Sequence, residues 1–314
     1  MDLPADTLGA RSPAPDAAAE PDGFVVELAP GERIHFLDWG RPADQGGHGV
    51  LLVHGLAGTA WTWTAVARRL RRLVPTVAAD LRGHGLSDAP TSEYDPGTLA
   101  DDLVAVAEGA GLVDLADGPT NQRVVLVGHG FGGMVAAWAA AELGARCAGL
   151  VLVDGGWQDV ALETGLTPAE FLRDLAEPPE VLRSMTAYLD DRRSWDPGRW
   201  DADEERAVRA TVVEVPAGHV VPAIRPHALE RSVEAIFEYR PIETLARLVV
   251  PIIALVAVDD EDRAKEAALA EVDAARRAAG RLPLDVARFP DDGHNLPRYR
   301  PAELTGAILR LAAR

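Results

Sequence analysis

The chain of 314 residues contains a single cysteine, Cys147, so no disulfide can form within it. That usage fits a reducing compartment, and a cytoplasmic setting is expected. Lysine is nearly missing too: Lys265 stands alone among 31 basic residues, the rest being arginine. No apolar run approaches the roughly 18 residues that cross a bilayer. Residues 1–23 are rich in Pro, Ala and Asp, lack the basic start and apolar stretch of a secretory leader, and read as a flexible tail. Positive charge is in deficit, with 31 basic against 49 acidic residues and a net charge of −18. Such a surface repels phosphate backbones and anionic lipid, so a small molecule is the expected partner rather than nucleic acid or membrane. Neither H-E-x-x-H nor paired Cys/His spacing occurs, and no metal site is expected.

Apolar residues, at 47%, suffice for a large core. They fall into eight strand-like runs: 24–28, 34–39, 50–54, 76–80, 123–127, 150–154, 252–258 and 284–289. Helical patterns occupy roughly 61–73, 98–110, 131–145, 262–279 and 301–313. Strand–helix alternation predicts an α/β fold with a mostly parallel eight-stranded sheet and helices on both faces. The runs VLLV, VVLV and LVLV are apolar at every position, as strands covered on both sides require. The alternation stops over 155–241, which carries polar, Trp- and Pro-containing helical pieces. This stretch reads as a helical cap inserted into a core of 24–154 and 242–314.

Three segments carry the residues of chemical interest. At the end of the third run, His54-Gly55 lets the backbone turn sharply, and the N–H of Leu56 is placed to donate to an oxyanion. The loop from Asp80 to Asp88, DLRGHGLSD, is read as structural, with charged residues pinning glycine turns. The third segment, VLVGHGFGGMVAAWAA, has the strand–turn–helix setting of the nucleophile elbow G-x-S-x-G. Here it reads Gly128-His129-Gly130-Phe131-Gly132, so the nucleophile position holds Gly130. Phe131 would supply a second oxyanion N–H, and elbow geometry turns His129 away from the face of Gly130. Cys147, Thr59 and Ser87 lie in the wrong places to replace the missing hydroxyl.

Together with FPDDGHNLPRYRP near the C-terminus, these segments resemble the α/β-hydrolase superfamily over residues 24–314. The cap pieces VDGGW (153–157), RPHALER (225–231) and YRP (239–241) are similar to those of one broad bacterial group of such hydrolases. The resemblance implies ester, thioester or amide hydrolysis by a Ser-His-Asp triad without a cofactor. It places the general base at His294. Counted from Pro251, the family's spacing points to Asp260 as the orienting acid, with Asp259, Asp262 and, ending the preceding strand, Asp154 as competitors. Trp157, Trp195 and Phe237, with Trp200 and Tyr239, either line an apolar substrate pocket or pack cap against core. Packing is the more usual role for aromatics at helical spacing.

Glycine at the nucleophile position leaves several readings open. His294 can act as general base on water, or on a substrate proton, beneath the two N–H donors. The chain can instead be an inactive ligand-binding relative, or a serine hydrolase whose nucleophile has been replaced deliberately. Gly128, Gly130 and Gly133 also spell G-x-G-x-x-G, with Asp154 following 21 residues after Gly133, which is the local signature of a dinucleotide site. Against NAD stand the four strands that precede the motif and the unexplained HG and DGH segments.

Overall fold

The computed structural model describes residues 19–42, 47–91, 93–114, 122–258, 263–290 and 292–313. The sheet strands are β1 (Asp22–Ala29), β2 (Glu32–Asp38), β3 (Gly49–Val53), β4 (Thr76–Ala79), β5 (Val124–His129) and β6 (Cys147–Val153). A short antiparallel pair follows, β7 (Val212–Glu214) and β8 (Val220–Pro222), and the sheet resumes with β9 (Ile252–Val258) and β10 (Asp285–Pro290). The eight-stranded order is β1-β2-β4-β3-β5-β6-β9-β10. Pairing is antiparallel for β1 with β2 and β2 with β4, and parallel elsewhere.

The inner strands are apolar throughout because both sides are covered. Helices Pro96–Gly109, Phe131–Leu143 and Arg263–Ala278 contribute to the core on one face, and Thr64–Leu70 with Pro301–Ala312 to that on the other. Every residue of β3 and β4 is buried, which removes nearly all their apolar surface from water at about 25 cal/mol per Å². Charge pairs seal the loops. Arg82 and Asp102, both buried, form a two-pronged ion pair, and Arg33 makes another with Asp88.

Two boundaries differ from the sequence reading. Strand β1 begins at Asp22, and Arg68 bonds the Ala19 carbonyl and the Glu20 carboxylate, so 19–23 are docked where a tail was expected. Between β6 and β9 lie the helices expected there and also the β7–β8 ribbon, whose Val212 and Val220 pack with Tyr188 in a small separate core. No helix among the described residues is long and apolar enough to cross a membrane.

Strand register fixes what meets at the sheet's C-terminal edge. Val53 pairs with Gly128, His129 with Val153, Val153 with Leu255, and Pro290 with Val258. Residues 54–56, 130, 154 and 294 therefore leave the strands along one rim.

Candidate active site

Strand β5 runs into the helix Phe131–Leu143 through Gly130 alone, whose φ is 53° and ψ −120°. This left-handed geometry turns the chain sharply, and glycine adopts it without a Cβ clash. The Gly130 N–H donates to the Val153 carbonyl at 3.0 Å, tying the turn to β6. The neighbouring glycines serve close approach. A Cβ on Gly132 would overlap the His54 carbonyl oxygen, and one on Gly155 would lie 2.6 Å from the Gly130 Cα. The strand–helix unit fits against its neighbours only with hydrogen at these positions.

A Cβ at position 130 would point at His294, 3.3 Å from Nε2 and 3.5 Å from Cε1, with the Gly55 Cα at 3.9 Å. The position that would bear a nucleophile's side chain therefore faces the imidazole directly. The other ring nitrogen, Nδ1, lies 2.7 Å from Asp154 Oδ2. Asp154 is buried, and its Oδ1 accepts the Ala257 N–H at 3.0 Å and lies 3.5 Å from Lys265 Nζ. Burial alone would raise its pKa; the His294 hydrogen bond and charge, Lys265 and the Ala257 N–H together bring it below the ordinary value. The side chain of His294 is 63% exposed, so substrate and water can reach it.

The carboxylate on His294 is thus Asp154, which the sequence ranked behind Asp260. Asp259, Asp260 and Asp262 lie outside the described residues. The same contact bears on the dinucleotide reading. The acid that would hold a ribose hydroxyl is instead buried and bonded to His294 and Ala257.

On the oxyanion side, Gly58 N–H bonds the Gly55 carbonyl at 3.0 Å, and Ala57 has φ 57°, so residues 55–58 form a tight turn carrying Leu56. Phe131 opens its helix, and a first-turn N–H has no acceptor within the helix. The turn is anchored from below by His54, fully buried, whose Nδ1–H donates to the Gly55 carbonyl while Nε2 accepts the Leu81 N–H. Asp80 accepts from the Ala60 and Leu86 N–H groups and from His35, joining the turn to the glycine-rich loop.

His129 lies against the His294 loop. Its ring packs against that of His294, centroids 4.4 Å apart, and its Nε2–H donates to the His294 carbonyl at 2.9 Å. Burial, reinforced by His294 nearby, pushes its pKa down to about 3, so it is a neutral prop for the loop. Only the x in G-x-G-x-G marked it in the sequence, a position that motif leaves unconstrained.

The aromatics of residues 155–241 separate. Trp157 is fully buried in the core, Tyr239 is buried with its hydroxyl donating to the Gly156 carbonyl, and Phe237 packs edge-on against Phe171. Trp195 is 68% exposed and lies beneath the Arg192 guanidinium. These contacts are packing rather than pocket lining. Beside the Asp154–His294 pair opens a polar cleft of about 360 Å³ lined by Gln158, Val258, Lys265, Asp292 and Gly293 among others.

Comparison with known proteins bears on family and fold. The profile of the alpha/beta hydrolase family matches residues 50–307. An uncharacterized protein of Mycobacterium tuberculosis is 34% identical over 110 residues, 35% of this chain and 30% of that protein. N-formylmaleamate deformylase of Pseudomonas putida is 36% identical over 127 residues, covering 40% of this chain and 42% of the deformylase. The chain thus aligns with well under half the length of these curated relatives. Among solved structures, E-2-(acetamidomethylene)succinate hydrolase superposes with a TM-score of 0.69 at 18% identity, covering 93% of this chain and 98% of that one. The thioesterase domain from the curacin biosynthetic pathway gives 0.65 at 20% identity, covering 92% and 99%. At such identities these two show the fold alone.

Proposed function

Because the chain belongs to the alpha/beta hydrolase family, we propose that it hydrolyses a small carbonyl compound of the ester, thioester or amide class by direct attack of water, with His294 as general base. The observation that carries this reading is the 3.3 Å between the Cβ position of residue 130 and His294 Nε2. A water molecule held off the Gly130 Cα in front of Nε2 would stand in for the hydroxyl that this base would otherwise deprotonate.

In this mechanism Nε2 takes a proton from water while the water oxygen bonds to the carbonyl carbon. The charge that develops on the carbonyl oxygen is met by the N–H groups of Leu56 and Phe131. Asp154 holds Nδ1–H and stabilises the imidazolium. Collapse of the adduct breaks the bond to the leaving group, which departs with the proton held on Nε2. No acyl-enzyme forms. Residues 155–241 cap the strand ends in this reading, and the substrate enters along the exposed side of His294. Two relatives, a deformylase and a hydrolase of an acetamido compound, make acyl–nitrogen substrates a natural first choice beside esters.

Loss of a serine nucleophile costs on the order of 10⁶ in kcat while binding and the oxyanion hole still leave about 10³–10⁴ over water. Slow turnover of activated esters is therefore expected. Hydrolysis of p-nitrophenyl acetate and butyrate and of an N-formyl anilide should fall to background in His294→Ala and rise at least 100-fold in Gly130→Ser. Unchanged turnover in His294→Ala would overturn the base assignment. An inert parent with an active Gly130→Ser variant would favour a ligand-binding role on a preserved hydrolase scaffold.

A further inference from the structure

A chain that uses arginine at every other basic position places its one lysine against the acid of the site. Lys265, on the helix Arg263–Ala278, lies with Nζ 3.5 Å from Asp154 Oδ1 and donates to the Ala257 carbonyl at 2.9 Å. Ala257 in turn donates its N–H to the same Oδ1 at 3.0 Å. Lysine and strand β9 thus hold one carboxylate oxygen between them, leaving Oδ2 to face His294 Nδ1 at 2.7 Å. Lysine suits the place. Its ammonium on a flexible stem reaches Oδ1 and the Ala257 carbonyl together.

We propose that Lys265 is a positioning residue for the base. By fixing Oδ1 it keeps Oδ2 on Nδ1, and its standing positive charge disfavours a second cation nearby, so His294 remains neutral and proton-accepting to lower pH. This rests on the general-base reading above but concerns the resting protein. Among the described residues, His129 and Asp292 also lie near His294. His129, at the end of β5, is neutral and donates to the His294 backbone. Asp292, on the same loop as His294, is buried and held by Arg300 and Arg199. The acidic residues 259–262 lie outside the described residues. Without Lys265, Asp154 would spend its charge on the imidazole alone, and the imidazolium would be favoured.

The test is an NMR titration of the imidazole Cε1–H signals, with His294 assigned by the signal lost in His294→Ala. In Lys265→Met the His294 midpoint should move up by about 0.5–1 pH unit, the size expected for one charge several ångströms away at the protein surface. Lys265→Arg should stay within a few tenths of the parent. An unchanged midpoint in Lys265→Met, or an equal rise in Lys265→Arg, would overturn the proposal. Because the titration needs no turnover, it succeeds or fails independently of the hydrolysis assays. Lys265→Gln serves as the second neutral variant, and a folded spectrum in either is sufficient for the reading.

Discussion

The two walls of the site are built by different physics. The sheet wall presents Gly130, Asp154 and the Leu56 turn from strands that are buried on every residue or nearly so, and backbone hydrogen bonds fix each of them. The segment 155–241 joins the main core through Trp157, Ala228, Ala235, Ile236 and Tyr239, but elsewhere it is tied by charge. Its helices Val160–Thr164, Pro168–Asp174 and Ala202–Arg209 contain no buried residue. Arg68 reaches Asp203, Arg206 reaches Glu20, Arg298 reaches Glu204, and Arg199 reaches Asp292. Close packing fixes positions to fractions of an ångström, whereas an ion pair open to solvent on both sides, as Arg206–Glu20 is, is weak and screened by salt. Gly130, Asp154 and the Leu56 turn are thus held rigidly, and the helices Val160–Thr164, Pro168–Asp174 and Ala202–Arg209 are held by fewer buried contacts.

Acid should break that contrast most strongly. His54, His84 and His129 are buried with pKa values lowered chiefly by burial, the last two to about 3. Above about pH 6.5 both folded and unfolded states keep them neutral. Below it the unfolded chain takes up protons that the folded chain refuses, so stability falls by about 1.4 kcal/mol per pH unit for each histidine. Asp154 and Asp80 are depressed, so their contribution persists until the pH falls below the ordinary carboxylate range. Thermal melts should therefore decline steeply between pH 6.5 and 5; a flat profile there would show that these rings can accept protons in place.

Next in size is overpacking of the rigid wall. Gly132→Ala should lower stability by about 2–3 kcal/mol in denaturant titrations, because its Cβ meets backbone rather than a movable side chain. A neutral result would mean that the helix Phe131–Leu143 can slide. Smaller still is release of the cap. Arg68→Met removes the link among Ala19, Glu20 and Asp203 at a cost of about 1 kcal/mol. Faster amide exchange should be confined to 202–209, and 0.5 M NaCl should produce the same pattern in the parent. Spread of the effect into β5 or β6 would erase the distinction between the walls. Trp195→Ala, which removes only a surface ring, should change stability by less than about 0.5 kcal/mol.

The same division governs what the sequence disclosed. All eight sheet strands were legible as short apolar or β-branched runs alternating with helical patterns, and the elbow was legible because close approach demands glycine. Gly130 and His294 could be placed together from the family resemblance, with chain order in support. Asp154 lost to Asp260 because family spacing singles out an acid after β9, while the partner of His294 depends on register between β6 and β10, two strands that do not touch. The role of His129 was hidden for the same reason, since it needs a ring and a carbonyl 165 residues apart to meet. The cap aromatics were ambiguous because a tryptophan pattern looks the same whether it faces ligand or core.

Backbone tension in this site is distributed unusually. Among the described residues only Ala57 and Asp154 carry a side chain at positive φ, at 57° and 41°, and they flank the reaction centre on either side. Such conformations cost an L-residue on the order of 1–3 kcal/mol and persist only where the surroundings hold them. At the centre, Gly130 takes a comparable geometry free of that load. A serine installed there would give the protein a nucleophile and, with it, a third point of stored stress. The protein as it stands is tensioned at its flanks and slack at its middle.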